Sequence, residues 1–160
     1  MKEDIKNAVA RIVDAYMADN DEMSLRLALA ITDYVKLQAK ELGVKAVVAV
    51  SNSGGNPVSV QCMDDSYLAS YDVAFNKAYT VVALKMPTIT LKPLAQPGGS
   101  LYGIQFTNNN RIVIFGGGVP LYNKEGKIIG GLGVSGGSEE QDTLLASLGG
   151  EILAACIKNI

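Results

Sequence analysis

Val44-Lys45-Ala46-Val47-Val48-Ala49-Val50 runs into Ser51-Asn52-Ser53-Gly54-Gly55-Asn56 and resumes as Pro57-Val58-Ser59-Val60-Gln61-Cys62-Met63. The first seven residues are apolar nearly throughout and rich in β-branched valine, which predicts a strand covered on both faces. Ser53-Gly54-Gly55-Asn56 is a turn signal, and the extended segment from Pro57 to Met63 completes a hairpin. A hairpin joins antiparallel neighbours, so the central sheet is expected to be antiparallel, with helices packed on its faces.

Helical periodicity flanks this hairpin on both sides. Upstream, Ile5, Val9, Ile12, Val13 and Tyr16 recur at helical spacing between Lys2 and Ala18. Ser24 is placed to cap a second helix whose apolar side carries Ala28, Ile31, Val35 and Leu42, and Gly43 supplies its stop. Downstream, Leu68 to Met86 reads as a helix with Tyr71, Phe75, Ala78 and Val82 on its apolar face, ended by Pro87. Residues 87–101 hold Pro87, Pro93, Pro97, Gly98 and Gly99 and read as a long irregular loop, a kind that often carries function. Extended pieces are expected at Arg111–Phe115, Val119–Tyr122 and Lys127–Val134, with turns at Asn108-Asn109-Asn110 and Glu125-Gly126. Ser138 is placed to cap a last helix bearing Leu144, Leu145, Leu148, Ile152 and Ala155. Gly149-Gly150 interrupts its pattern and marks either a kink or a close packing contact, since each glycine costs about 1 kcal/mol against alanine there. The fold class is therefore α+β, and residues 1–160 are read as one domain.

Composition removes several functions. Apolar residues make up 48% of the 160 and charged residues 19%, which suits a packed domain rather than a disordered one. Net charge is −2, and no Lys/Arg stripe exists to neutralise phosphates, so nucleic acid is not the expected partner. The N-terminus is polar and the apolar runs are far short of a membrane span, so the expected address is the cytoplasm. Cys62 and Cys156 occupy no ligand spacing and are expected to be reduced, packed and not joined to each other. There is no histidine, which removes Ser-His and Cys-His nucleophile activation and the usual imidazole metal ligand.

Four motifs carry a family resemblance. They are Asp72-Val73-Ala74-Phe75-Asn76-Lys77-Ala78-Tyr79-Thr80; Gln96-Pro97-Gly98-Gly99-Ser100-Leu101-Tyr102-Gly103-Ile104; Phe115-Gly116-Gly117-Gly118-Val119-Pro120-Leu121; and Ile129-Gly130-Gly131-Leu132-Gly133-Val134-Ser135-Gly136-Gly137, with Glu140-Gln141-Asp142 behind it. In this order, from about Leu25 to Leu153, the chain resembles the GlcG/HbpS family, which also supplies the C-terminal domain of PduO-type corrinoid adenosyltransferases. The resemblance implies a profilin-like antiparallel sheet flanked by helices, assembly into homo-oligomers, and binding of haem or a corrinoid, with links to cobalamin/diol or glycolate metabolism. It does not imply transferase activity, which in PduO proteins belongs to a separate all-helical domain with no counterpart expected here. The missing histidine departs from relatives that hold haem through imidazole. A haem here would take Tyr79, Tyr102, Met86, Cys62 or a hydroxyl such as Thr80 as axial ligand, or have no strong ligand at all.

The motifs also have direct physical readings. Gly116, Gly117 and Gly118 permit either positive φ and close approach of a ligand or a tight strand junction. Gly136-Gly137-Ser138 presents N–H groups for an anion or, more simply, for helix capping, and Asp142 suits the helix dipole in either case. Lys77 borders the apolar face of its helix, where its ammonium reaches a pocket rim or snorkels to solvent. Asp72 and Lys77 stand five apart, about 140° around a helix, so they do not pair, and Arg111 or a neighbouring chain is left for Asp72. Gln96, Pro97, Gly98 and Gly99 shape a loop whose Tyr102 either stacks on a flat ligand or pins the loop.

The expected binding site is thus a pocket between Lys77 and the 96–102 loop, floored by Gly116–Gly118, for a flat acidic molecule. Asp72, Tyr79 and Tyr102 border it. No catalytic residue and no metal-ligand set is assigned. A scaffold or oligomerisation domain is the alternative, and a small-metabolite enzyme using Lys77 gains only if that lysine is buried.

Overall fold

The computed structural model describes residues 1–160. In chain order the elements are α1 (Lys2–Ala18), α2 (Leu25–Glu41), β1 (Val47–Asn52), β2 (Pro57–Cys62), α3 (Leu68–Leu84), α4 (Thr88–Leu94), β3 (Gly118–Tyr122), β4 (Ile128–Ser135) and α5 (Glu139–Lys158). The strands pair antiparallel in the order β2-β1-β4-β3, with the β1–β2 hairpin at one side. Ser24 caps α2 by accepting the Leu27 N–H at 3.1 Å, and Gly43 follows with φ +68. No helix is long and apolar enough to cross a membrane.

The two faces of the sheet are packed differently. Val48 and Val50 of β1 and Leu132 and Val134 of β4 point to the main core, where they meet Ile31 and Val35 of α2 and Leu145 and Leu153 of α5. The opposite face meets α3, with Val47 and Ala49 against Ala74 and Ala78. There β4 presents glycines at alternate positions. A Cβ at Gly131 would run into the Ala78 carbonyl oxygen, and one at Gly133 into that of Ala74. The helix backbone therefore lies directly on the strand. Ser51 Oγ donates to the Ala78 carbonyl at 3.0 Å, and Ser135 Oγ to Ser70 Oγ at 3.1 Å, which fixes the register of α3.

That contact changes the buried face of α3. The residues against the sheet are Ser70, Ala74, Lys77, Ala78 and Val81, whereas Tyr71 is exposed and Phe75 and Val82 are only half-buried. Small side chains win the contact because the backbones touch. Other boundaries differ for local reasons. β1 begins at Val47 because the Val44 N–H donates to the Ala39 carbonyl and belongs to the end of α2. α3 ends at Leu84, before Met86, with Lys85 left-handed at φ 56. Pro87 ends no helix but sits at the N-cap of α4, so the expected irregular loop holds a short helix. Arg111–Phe115 is not a strand. Its backbone bonds go to a side chain, with Thr80 Oγ1 accepting the Val113 N–H at 3.0 Å and sharing its one proton between the Asn76 carbonyl at 2.7 Å and the Arg111 carbonyl at 3.2 Å.

α5 runs unbroken through Gly149-Gly150, where a Cβ on Gly149 would collide with Leu132 of β4. The glycines mark a packing contact, not a kink. Leu42 is partly exposed rather than part of the core side of α2, and Cys62 is exposed rather than packed, while Cys156 is buried.

Candidate functional site

Lys77 is the largest fully buried side chain in the protein. Its position on α3 faces Gly133, and its Nζ donates to the Val134 carbonyl at 2.8 Å. Asp142 Oδ2 lies 3.6 Å from Nζ, and the Phe115 ring centroid lies 5.0 Å away. Asp142 stands in the first turn of α5 and also accepts the Gly137 N–H at 2.9 Å. Burial holds the Lys77 ammonium below the usual lysine range, opposed by Asp142, and pushes the Asp142 carboxyl up, opposed by the Gly137 N–H and Lys77. The lysine is therefore not at a rim. It ties α3, β4 and α5 together.

Gly116, Gly117 and Gly118 close the space over this pair. At Gly117, φ is +117 and a Cβ would stand 2.5 Å from Lys77 Nζ and 2.9 Å from Asp142 Cβ. The Gly117 carbonyl accepts the Val134 N–H at 2.8 Å, the Gly118 N–H donates to Thr88 Oγ1 at 2.9 Å, and the Gly116 N–H to Glu139 Oε2 at 3.0 Å. All three glycines are buried between α3, α4 and α5 and present no open floor. Glu139 also pairs with Lys92, and the bonds from Lys92 and Gly116 hold its carboxyl below the usual range. The N–H groups at the start of α5 are likewise committed, through a Ser138–Gln141 capping box and the Gly137–Asp142 bond.

The open chemistry lies on the outer side of α3. Tyr67, Tyr71, Phe75 and Tyr79 recur every fourth residue and form an aromatic stripe. Tyr71 and Phe75 stack with centroids 6.3 Å apart and planes 11° from parallel. The Arg111 guanidinium lies 3.7 Å from the Tyr79 centroid and 5.5 Å from that of Phe75. Tyr79 is committed: Arg111 covers its ring, Gly55 packs close to it, and its hydroxyl donates to Asn108 Oδ1 at 2.8 Å. Asp72 is exposed and forms no ion pair, so Arg111 is not its partner.

The Gln96–Tyr102 segment wraps the end of α4. Gln96 Nε2 donates to the Lys92 carbonyl at 3.0 Å, Gly98 has φ +86, and Gly99 fits only because a Cβ there would strike the Leu94 carbonyl. Pro97 is exposed beside them, and Tyr102 is 65% exposed. None of the principal clefts is lined by Lys77, Tyr102 or Gly116–Gly118. The largest, about 600 Å³, is an open charged groove between α1 and α2 lined by Asp4, Arg11, Asp33 and Lys36. The structure thus separates the expected site into a sealed Lys77–glycine cluster, an aromatic stripe on the outer side of α3, and an exposed Tyr102 in the segment after α4.

Sequence reasoning weighed Asp142 as a first-turn carboxylate, Arg111 as a partner for Asp72 and Thr80 as an iron ligand, and so missed the Lys77–Asp142–Phe115 and Arg111–Asn76–Thr80 contacts. Asp142 and Phe115 stand within or beside the motifs, but their contacts span distant parts of the chain. Arg111 carries no local signal apart from the apolar segment that follows it.

Comparison with known proteins supplies the family. A protein described as the uncharacterized 15.0 kDa protein of the dhaT–dhaS intergenic region of Citrobacter freundii is 47% identical over 124 residues, covering 78% of this chain and 87% of that protein. The corrinoid adenosyltransferase PduO of C. freundii is 40% identical over 116 residues, 72% of this chain but only 34% of the relative's own length. Among solved structures, Klebsiella pneumoniae protein ORFY superposes with TM-score 0.80 at 41% identity, covering 83% of this chain and 91% of that one. A PduOC–haem complex superposes with TM-score 0.73 at 38% identity, covering 76% and 88%. With residues 23–150 matching the family described as "Haem degrading protein HbpS-like", this α+β chain belongs to the HbpS-like family.

Proposed function

We propose that this domain binds a planar tetrapyrrole, haem in the first instance, against the outer side of α3 and the 96–115 segment. The observation that carries the reading is the 38% identity and 0.73 TM-score to a domain solved with haem. The outer side of α3 suits a flat molecule: Tyr67 and Tyr71 are exposed there and Tyr71 stacks on Phe75, and the segment that follows α4 exposes Tyr102, Phe106 and Phe115 as well. The iron ligand is the weaker part of the fit. Thr80 Oγ1 is used in three bonds, Tyr79 OH is bound to Asn108, and Cys62 ends β2. Of Tyr79 and Tyr102, Tyr102 is the exposed one, at 65%. Bound haem would supply iron redox chemistry; the protein would supply ring contacts and orientation.

The role is binding rather than catalysis, because the one buried lysine is sealed by Gly116–Gly118 and has no room for a substrate. The PduO relatives favour a setting in corrinoid metabolism, with a corrinoid as the alternative tetrapyrrole; a cytoplasmic address belongs to the same proposal. Assembly with further copies of the chain belongs to the same reading, since Leu68 is 96% exposed beside the aromatic stripe. Titration with haem should give a saturable Soret change of micromolar midpoint, as expected without imidazole ligation, weakened in Tyr102→Ala and Tyr71→Ala. No saturable change in the parent would refute haem binding.

A further inference from the structure

The guanidinium of Arg111 is held in an uncommon way. Its Cζ lies over the Tyr79 ring, 3.7 Å from the centroid, and 5.5 Å from that of Phe75, so both neighbours are rings rather than acids. Its Nε donates to Asn76 Oδ1 over a long 3.4 Å, and its Nη groups meet no acceptor within the chain. No carboxylate lies within ion-pair distance, although the chain carries 16 acidic residues and Asp72 is on the same helix. A surface arginine without an acid usually extends into water. This one is fixed at its root, because its carbonyl accepts from Thr80 and the preceding Asn108, Asn109 and Asn110 are all left-handed, at φ 52, 55 and 60. Tyr79 OH grips Asn108 from the same helix.

A guanidinium held over a ring and bonded only through Nε keeps its Nη donors free, and those paired donors match a carboxylate in a bidentate pair. The stacked rings of Tyr71 and Phe75 continue the same surface on one side of it. We infer that Arg111 is the carboxylate anchor of this face, gripping an acidic group at the rim of a flat aromatic ligand. Resting on the haem reading, this assigns Arg111 to a haem propionate; the same chemistry would also take a free carboxylate.

The test compares haem, haem dimethyl ester and succinate on the full-length parent, Arg111→Met and Arg111→Lys. Loss of one charge-assisted bidentate contact predicts about tenfold tighter binding of haem than of the diester by the parent. Arg111→Met should abolish that preference while leaving diester affinity within about twofold, and Arg111→Lys should restore only part of it. A preference unchanged in Arg111→Met, or an equal loss for both porphyrins, would overturn the assignment while leaving haem binding intact. If the parent takes up neither porphyrin, the haem reading falls, and succinate decides the anchor by NMR. A saturable shift of the Arg111 Nε–H resonance then supports it, and no shift overturns it.

Discussion

Replacing Lys77 by methionine isolates the sealed cluster, because the two side chains are close in length and leave little cavity. The substitution removes the 2.8 Å bond to the Val134 carbonyl and leaves Asp142 without its cation. Breaking a buried pair from one side costs roughly 3–5 kcal/mol. The lower end applies here, since Asp142 keeps the Gly137 N–H at 2.9 Å and its raised pKa lets it take up a proton. About 3 kcal/mol corresponds to a fall of roughly 6–12 °C in Tm for a chain of this size. In Lys77→Met/Asp142→Asn no charge remains, and the asparagine oxygen still accepts from Gly137. The double variant should therefore be more stable than Lys77→Met by about 1 kcal/mol or more. Urea denaturation of the parent, both single variants and the double variant measures all four corners. A loss below about 1 kcal/mol in Lys77→Met, or strictly additive losses, would refute the pairing.

The remaining expectations concern pH, packing and assembly. The folded Asp142 pKa is raised above 3.8, so the folded chain holds that proton more tightly and stability falls as pH climbs from 3.8 through the native pKa; Asp142→Asn should flatten this slope in urea melts. The folded Lys77 pKa lies below 10.5, so the unfolded chain holds the proton more tightly and stability rises with pH across the window beneath 10.5; Lys77→Met should remove that rise. A Cβ in Gly133→Ala would strike the Ala74 carbonyl and stand 2.7 Å from Ala78 N, so α3 must lift from β4. Thermal melts should show a loss of about 1–3 kcal/mol or more, and an unchanged Tm would contradict direct backbone contact. Light scattering at micromolar concentration should return a mass above the 16.9 kDa of one chain, reduced in Leu68→Glu; a monomeric parent would refute assembly.

Much of the fold was legible because its signals are local. Gly54-Gly55 between two valine-rich runs marks the hairpin, and Ser24, Gly43 and Ser138 mark helix ends by their own chemistry. Misreadings arose where a distant partner decided the outcome. Ile112-Val113-Ile114 has strand composition, yet Thr80 of α3 captures the backbone around it. Tyr71 and Phe75 have helical spacing for a core, yet the glycines of β4 admit only small residues on that side. Pro87 and Pro93 suggested an irregular loop, although proline at an N-cap is compatible with the start of a helix. At the site, Lys77 and Gly116–Gly118 lie side by side, but as a sealed cluster and not as the pocket with a glycine floor that was expected. The group that completes them, Asp142, carries in sequence only the ordinary signature of a first-turn carboxylate.

The most direct test of the account is to map bound haem on the protein by amide NMR, using the iron's paramagnetic broadening as a ruler. Binding on the proposed face predicts signal loss centred on residues 68–80 and 96–115, with the α1–α2 groove around Arg11 and Lys36 unaffected. Broadening centred on that groove, or no saturable effect at all, would contradict it.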